Sequence, residues 1–189
     1  MQFTLTYSGE LHANGKPAHK HELRKCFHSQ LLVLWEQIPL SEYRYWFETG
    51  TKATTVDLNR EVGSFRFVPL VSPSIHLICE LRIFLLKPEP PGTIITQAGD
   101  IDNRLKTLFD ALRLPTASEL PPKATPQPSE DPFFCLLEND SLISKISVET
   151  DRLLVKARTS NEVHLDIQVT TVKTRTIIGD RASGNIGLP

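Results

Sequence analysis

Four side chains in this sequence have the types and spacing for metal-ion and phosphate chemistry: Asp100, Asp102, Lys106 and Asp140. Three carboxylates brought together from two elements would form an all-oxygen site. Hard cations such as Mg²⁺ prefer such sites, keeping several waters while they bridge to substrate phosphates. Lys106, one helical turn beyond Asp102, is spaced to neutralise a phosphate or the charge that develops on a leaving oxygen. The plainer alternative is an Asp102–Lys106 pair at i,i+4, worth about 0.2–0.5 kcal/mol, with Asp100 acting only as a helix cap.

The element that must hold most of these groups is the stretch from Gly99 to Leu112. At about 100° per residue, Ile101, Leu105, Leu108 and Leu112 fall on one stripe, and Asp102, Lys106 and Asp110 fall together on another side. One face is expected to pack and the other to present charge. Gly99 and Asp100 read as the helix start, where an acid sits favourably at the positive dipole end and phosphate is also attracted.

The remaining elements follow from pattern. Gln2 to Tyr7 alternates as a short strand, and Leu23, Cys26, Phe27, Leu31, Leu34 and Ile38 give a long amphipathic helix from about Ala18 to Ile38. Val62 to Val68 and Ile75 to Leu86 read as strands paired in a hairpin around Pro69 to Ser74, and further strands run from Leu142 to about Glu149 and from Val163 to Val169. Leu114 to Pro132 is rich in proline and reads as a mobile loop or lid. Strands with two substantial helices indicate an α+β fold, a mixed sheet packed against helices, as a single domain over residues 1–172 with a tail at 173–189.

With 189 residues, 40% hydrophobic and 23% charged, the chain can bury one sizeable core and falls in the soluble globular class. A formal net charge of -1 excludes bulk basic character, so any nucleic-acid surface has to be local. The densest positive cluster is His19, Lys20, His21, Arg24, Lys25 and His28, readable as phosphate contacts or as a solvated helix face. Tyr43, Tyr45, Trp46 and Phe47 are readable as a base-stacking surface or as core and interface packing. Cys26, Cys79 and Cys135 lack a paired ligand motif and suit free thiols in a reducing compartment. A cytoplasmic protein without a membrane segment is the expectation, since no signal-like start and no apolar run of roughly 18 residues occurs.

The pattern Asp100-x-Asp102-Asn103-x-x-Lys106-x-x-x-Asp110-Ala111-Leu112, followed by an acidic step at Asp140 leading into a strand, resembles the RusA-type Holliday junction resolvases. The resemblance is concentrated on the central helix and extends in order over residues 75–150. It implies a small RusA-like unit that dimerises and, with Mg²⁺ or in its place Mn²⁺, hydrolyses phosphodiesters in branched DNA, nicking two strands of a four-way junction symmetrically. By motif position, Asp100, Asp102 and Asp140 are similar to the family's metal-binding acids and Lys106 to its required lysine. Asn103, Asp110 and Glu138 are expected in support, with Asp110 orienting Lys106. Independently of the resemblance, Lys20, Arg24 and Lys25, on the side of the first helix away from Leu23, Phe27 and Leu31, are the expected phosphate contacts, and Arg104 is a further expected DNA contact.

Three departures bear on this expectation, of which one is that the basic N-terminal helix and the aromatic segment Tyr43–Phe47 match nothing in the family. The family carries two successive aspartates at the downstream step, whereas this chain has Glu138-Asn139-Asp140, and a Pro-rich insertion separates Asp110 from that step. The lost carboxylate motivates a second expectation, a DNA-binding protein of this fold without cleavage. A homodimer follows from the resemblance and from the need to cut two strands with one site per chain. Its candidate surfaces are Tyr43–Phe47 and one edge of the sheet.

Overall fold

The computed structural model describes residues 1–48, 56–88 and 100–175, with the side chain of Asp100 left outside the description. Strand β1 (Gln2–Glu10) leads into helix α1 (Pro17–Trp35), which starts with proline in its first turn, where the missing N–H has no intrahelical use. The chain then forms a 3₁₀ turn at Leu40–Trp46, strands β2 (Arg60–Val62), β3 (Phe65–Val71) and β4 (Leu77–Lys87), and helix α2 (Asp100–Leu112). Strands β5 (Phe133–Leu137), β6 (Ile143–Arg152) and β7 (Glu162–Lys173) complete it.

Two sheets result, one ordered β1-β7-β4-β6 and one ordered β2-β3-β5. The first is mixed: β7 runs antiparallel to β1 and β4, while β6 runs parallel to β4. Alternation decides its faces. Leu77, Cys79, Leu81, Ile83 and Leu85 of β4 and Val163, Leu165, Ile167 and Val169 of β7 are buried, and Leu5 of β1 joins them. Leu23, Phe27, Leu31 and Trp35 of α1 belong to the same core. The α+β class and the single compact domain are therefore as the sequence predicts. No helix among the described residues is long and apolar enough to cross a membrane.

Three expectations change. The predicted hairpin between the second and third strand segments does not form: β3 pairs parallel with β5 and β4 belongs to the other sheet. The cause is environment, because β3 is buried almost throughout whereas alternate residues of β4 reach the surface, and one sheet face does not supply both. Helix α1 stops at Trp35, short of Ile38, which precedes Pro39 and is 80% exposed. Residues 114–132 are not a loose connection. They contain short 3₁₀ turns at Ala117–Glu119 and Pro128–Glu130, each closed by a capping box, and Glu130 is buried. Of the expected tail, residues 176–189 lie outside the described residues.

Trp35 is fully buried beside Phe47 and Phe134, and its indole N–H has no hydrogen-bond partner among the described residues. Trp35→Ala is expected to cost about 3–5 kcal/mol in denaturant unfolding. Trp35→Phe, which keeps a ring and removes the unsatisfied donor, is expected to cost markedly less.

Candidate functional site: the outer face of the second helix

Helix α2 presents the stripe its sequence predicts. Leu108, Ala111 and Leu112 are buried, with Ile101, Leu105 and Phe109 packed partly against the core. Asp102 and Lys106 are exposed on the opposite side, and neither side chain has an ion-pair or hydrogen-bond partner among the described residues. The i,i+4 pair that offered the plainer reading is thus not formed. Asn103 is half-buried. Asp100 is the first helical residue, and Gly99 lies outside the described residues.

Asp110, expected on the same charged row, is turned inward. Its carboxylate accepts from Lys20 Nζ at 2.6 Å and from Arg113 Nη2 at 2.9 Å. Burial works against the charged form, but the bonds and charges of Lys20 and Arg113 outweigh it and hold the pKa below the ordinary carboxylate range. Asp110 therefore orients Lys20 rather than Lys106. The reason is helical: four residues advance about 400°, so the row drifts by about 40° per step and its third member reaches the interface with α1.

The predicted DNA contacts are redistributed in the same way. Arg24 is 1% exposed and donates to the carbonyls of Asp110 at 2.8 Å and Glu119 at 3.2 Å, and burial lowers its pKa to about 10. Arg104 is also buried, donating to the Leu11 carbonyl at 2.7 Å and to Asn161 Oδ1 at 3.0 Å. Both guanidiniums are corrected from surface to interior groups. Lys25 is half-buried and 3.3 Å from Glu22, so of the basic cluster only it, Lys20 and His19 retain some exposure on α1, and the Lys20 ammonium is engaged by Asp110. His21 and His28 stack among Phe65, Phe133 and Phe134, and burial lowers their pKa values.

At the downstream step, Glu138 is held by Arg60 through two contacts at 2.9 and 3.2 Å and accepts from Ser72 Oγ. Burial raises its pKa, but Arg60 and Ser72 bring it below the ordinary range. Asn139 caps the 3₁₀ turn Asp140–Leu142 by accepting from the Ser141 N–H at 2.9 Å. Asp140 is exposed, and its carboxylate has no partner among the described residues. Sequence reasoning missed Arg60 as the partner of Glu138, since no periodicity marks a pairing between distant elements, and passed over Arg113, which the i,i+3 spacing offers to Asp110.

The positions of Asp102 and Asp140 differ along the four-stranded sheet. Through Arg104, the first turns of α2 are fixed to Leu11 and Asn161, where β1 ends and β7 begins. Asp140 precedes Ile143, which pairs beside Cys79 near the opposite end. The intervening length of β7 spans roughly 30 Å at about 3.3 Å per residue. Within one chain the structure therefore brings Asp100 and Asp102 to one end of the sheet and Asp140 to the other. Among the described residues no group of three His, Cys, Asp or Glu side chains that could hold a metal ion is assembled.

Compared with family models, curated proteins and solved structures, the chain matches none. Its class is that of an α+β protein in which Asp102 and Lys106, on the solvent face of a helix, have no partner among the described residues.

Stability is expected to fall with acid in two stages. His28 accepts from the Phe134 N–H at Nδ1 and donates from Nε2 to the Ser129 carbonyl, so a proton on Nδ1 removes a bond. Since the folded pKa values of His21 and His28 are lowered, the unfolded chain binds more protons below about pH 6.5 and stability declines from there. Asp110, Glu119 and Glu138 have lowered folded values and contribute stability that is lost as pH falls below about 4.5 and through those values. Urea midpoints measured from pH 7.5 to 3.5 check both stages, and a flat profile above pH 5 would contradict the first.

Proposed function

We propose that this protein is a metal-dependent endodeoxyribonuclease, RusA-like in its chemistry, that cuts phosphodiesters in branched DNA as a homodimer. The observation that carries the reading is the pair Asp102 and Lys106, one turn apart on the outer face of α2, both exposed and both without a partner among the described residues. A helix that commits Arg104, Thr107 and Asp110 to internal bonds yet leaves these two groups open has them available to a ligand. Asp140, exposed before β6, supports the same reading through the order strand, helix, strand, acidic step, strand.

Asp100 and Asp102 would offer oxygens to Mg²⁺ or Mn²⁺, and Asp140 is the third acid of the proposed set. The cation, when bound, supplies activation of water for attack on phosphorus. Lys106 sets a positive charge about one turn along the helix from those oxygens, suited to a phosphate or to the leaving oxygen. The second reading is a DNA-binding protein without cleavage. It is favoured by Asn139 where the family carries aspartate and by the position of Asp140 away from Asp102 in the single chain.

The test is nicking of a four-way junction with Mg²⁺ or Mn²⁺. Asp102→Asn is expected to lower the rate on the order of 100-fold or more, with junction affinity and urea midpoint nearly unchanged, and Lys106→Ala to lower it by a similar order. Full nicking by Asp102→Asn would sink the assignment. Junction binding without nicking by the unmodified chain would establish the second reading instead.

A further inference from the structure

The four-stranded sheet has two edges, and the chain treats them differently. At the β1 edge the side-chain amide of Gln30 accepts from the Thr6 N–H and donates to the Thr6 carbonyl, each at 2.8 Å, so an outward peptide is satisfied from within. The β6 edge has no such cap: among the described residues, no side chain hydrogen-bonds to the backbone of Lys145–Glu149. A long strand with a bare edge is a template for another strand. Apolar exposure gathers at the same place. Ile146 is 47% exposed, and Leu154 and Val155, just beyond the end of β6, are 89% and 72% exposed. The only other large hydrophobic residues so exposed among the described residues are Val33 and Ile38.

We propose that β6 pairs antiparallel with β6 of a second copy of this chain, about a two-fold axis through Ser147, so that the sheet continues from one subunit into the other. Residues directly opposite in an antiparallel ladder share a face. Register with β4 puts Lys145, Ser147 and Glu149 on the polar face beside Glu80, Arg82 and Phe84, and Ile146 and Val148 on the core side beside Leu81 and Ile83. An axis through Lys145 or Glu149 would set like charges directly opposite. An axis through Ser147 sets Lys145 opposite Glu149 of the partner subunit, twice, and Ile146 opposite Val148 of the partner subunit.

Within the chain Glu149 already lies 2.8 Å from Arg82, and Lys145 lies 3.9 Å from Glu80. The interface thus prolongs an alternating row of charge, Arg82, Glu149, Lys145, Glu80, across the axis. The antiparallel relation also carries Asp140 of the partner subunit toward the end of the sheet at which α2 begins, the end where the chain's own Asp140 does not lie. The pairing deepens the two-chain reading of the proposed function, but it stands on sheet topology and needs no nuclease activity.

The test places one cysteine on the axis. With Ser147→Cys, the two Cβ atoms lie about 4.5–5.5 Å apart across the ladder, close enough for a disulfide with small adjustment. Under mild oxidant the full-length Ser147→Cys chain is expected to run as a covalent dimer on a non-reducing gel. Lys145→Cys and the unmodified chain, which keeps Cys26, Cys79 and Cys135, are expected to run as single chains. In light scattering at micromolar concentration the unmodified chain should weigh about 43 kDa, twice 21.3 kDa, and Lys145→Glu or Ile146→Lys should weigh one chain that still unfolds cooperatively in urea, at a midpoint lowered only by the lost association. A monomeric unmodified chain, a Ser147→Cys chain without cross-links, or equal cross-linking of Lys145→Cys or Val148→Cys would overturn the proposal. A dimer that survives both charged variants would overturn it too, by locating the interface elsewhere. Junction nicking is read separately, so failure of the pairing and failure of the nuclease reading are distinguishable.

Discussion

A guanidinium withdrawn from water fixes how the parts of this protein meet. Arg24 is 1% exposed, and a charge in that position depends on the partners that replace water. Its Nη2 donates to the carbonyl of Asp110 on α2 and its Nη1 to the carbonyl of Glu119 in the Pro-rich segment, while the buried Nε finds no partner among the described residues. Around it Lys20, Asp110, Arg113 and Glu119 form a chain of ion pairs with contacts of 2.6 to 2.9 Å. Any sliding of α2 or of the Pro-rich segment would strand a buried charge, which costs more than most single contacts return.

That constraint sets the rotation of α2, and the rotation sets the chemistry. With Asp110 anchored to Lys20, the helix turns Leu108 and Leu112 into the core, and Asp102 and Lys106 face solvent. A second tether, from Arg104 to Leu11 and Asn161, fixes the beginning of the helix to the end of the four-stranded sheet. The open carboxylate and ammonium are thus held by a framework that shares no group with them. Substitution at Asp102 or Lys106 is for that reason separable from folding, whereas substitution at Asp110 or Arg24 is not.

The densest basic stretch in a chain of net charge -1 is mostly structural. His21 and His28 fill an aromatic cluster as neutral rings, Arg24 and Lys20 bind α2, and Lys25 pairs with Glu22. For the proposed function this moves the expected phosphate contacts away from α1 and toward the outer face of α2. It also makes the arrangement of two chains matter more, because one chain alone separates Asp102 from Asp140 along the sheet.

Local pattern alone determined the α+β class, the long helix α1, the inward stripe of α2, the alternation of β4 and β7, and the exposure of Asp102, Lys106 and Asp140. Each depends on periodicity within one element, and burial of one apolar face enforces it. Which strands pair, why β3 and β4 belong to different sheets, and why Arg24, Arg104 and Asp110 point inward were decided by the tertiary structure. The hairpin expectation failed because burial on both faces of β3 is a property of its neighbours, not of its own sequence. The polar groups that sequence reading sent to the surface went inside because partners distant in the chain, such as the Asp110 and Glu119 carbonyls for Arg24, the Leu11 carbonyl and Asn161 for Arg104, and Lys20 for Asp110, met them there. Such satisfaction is a relation between elements, and no single stretch of sequence carries it.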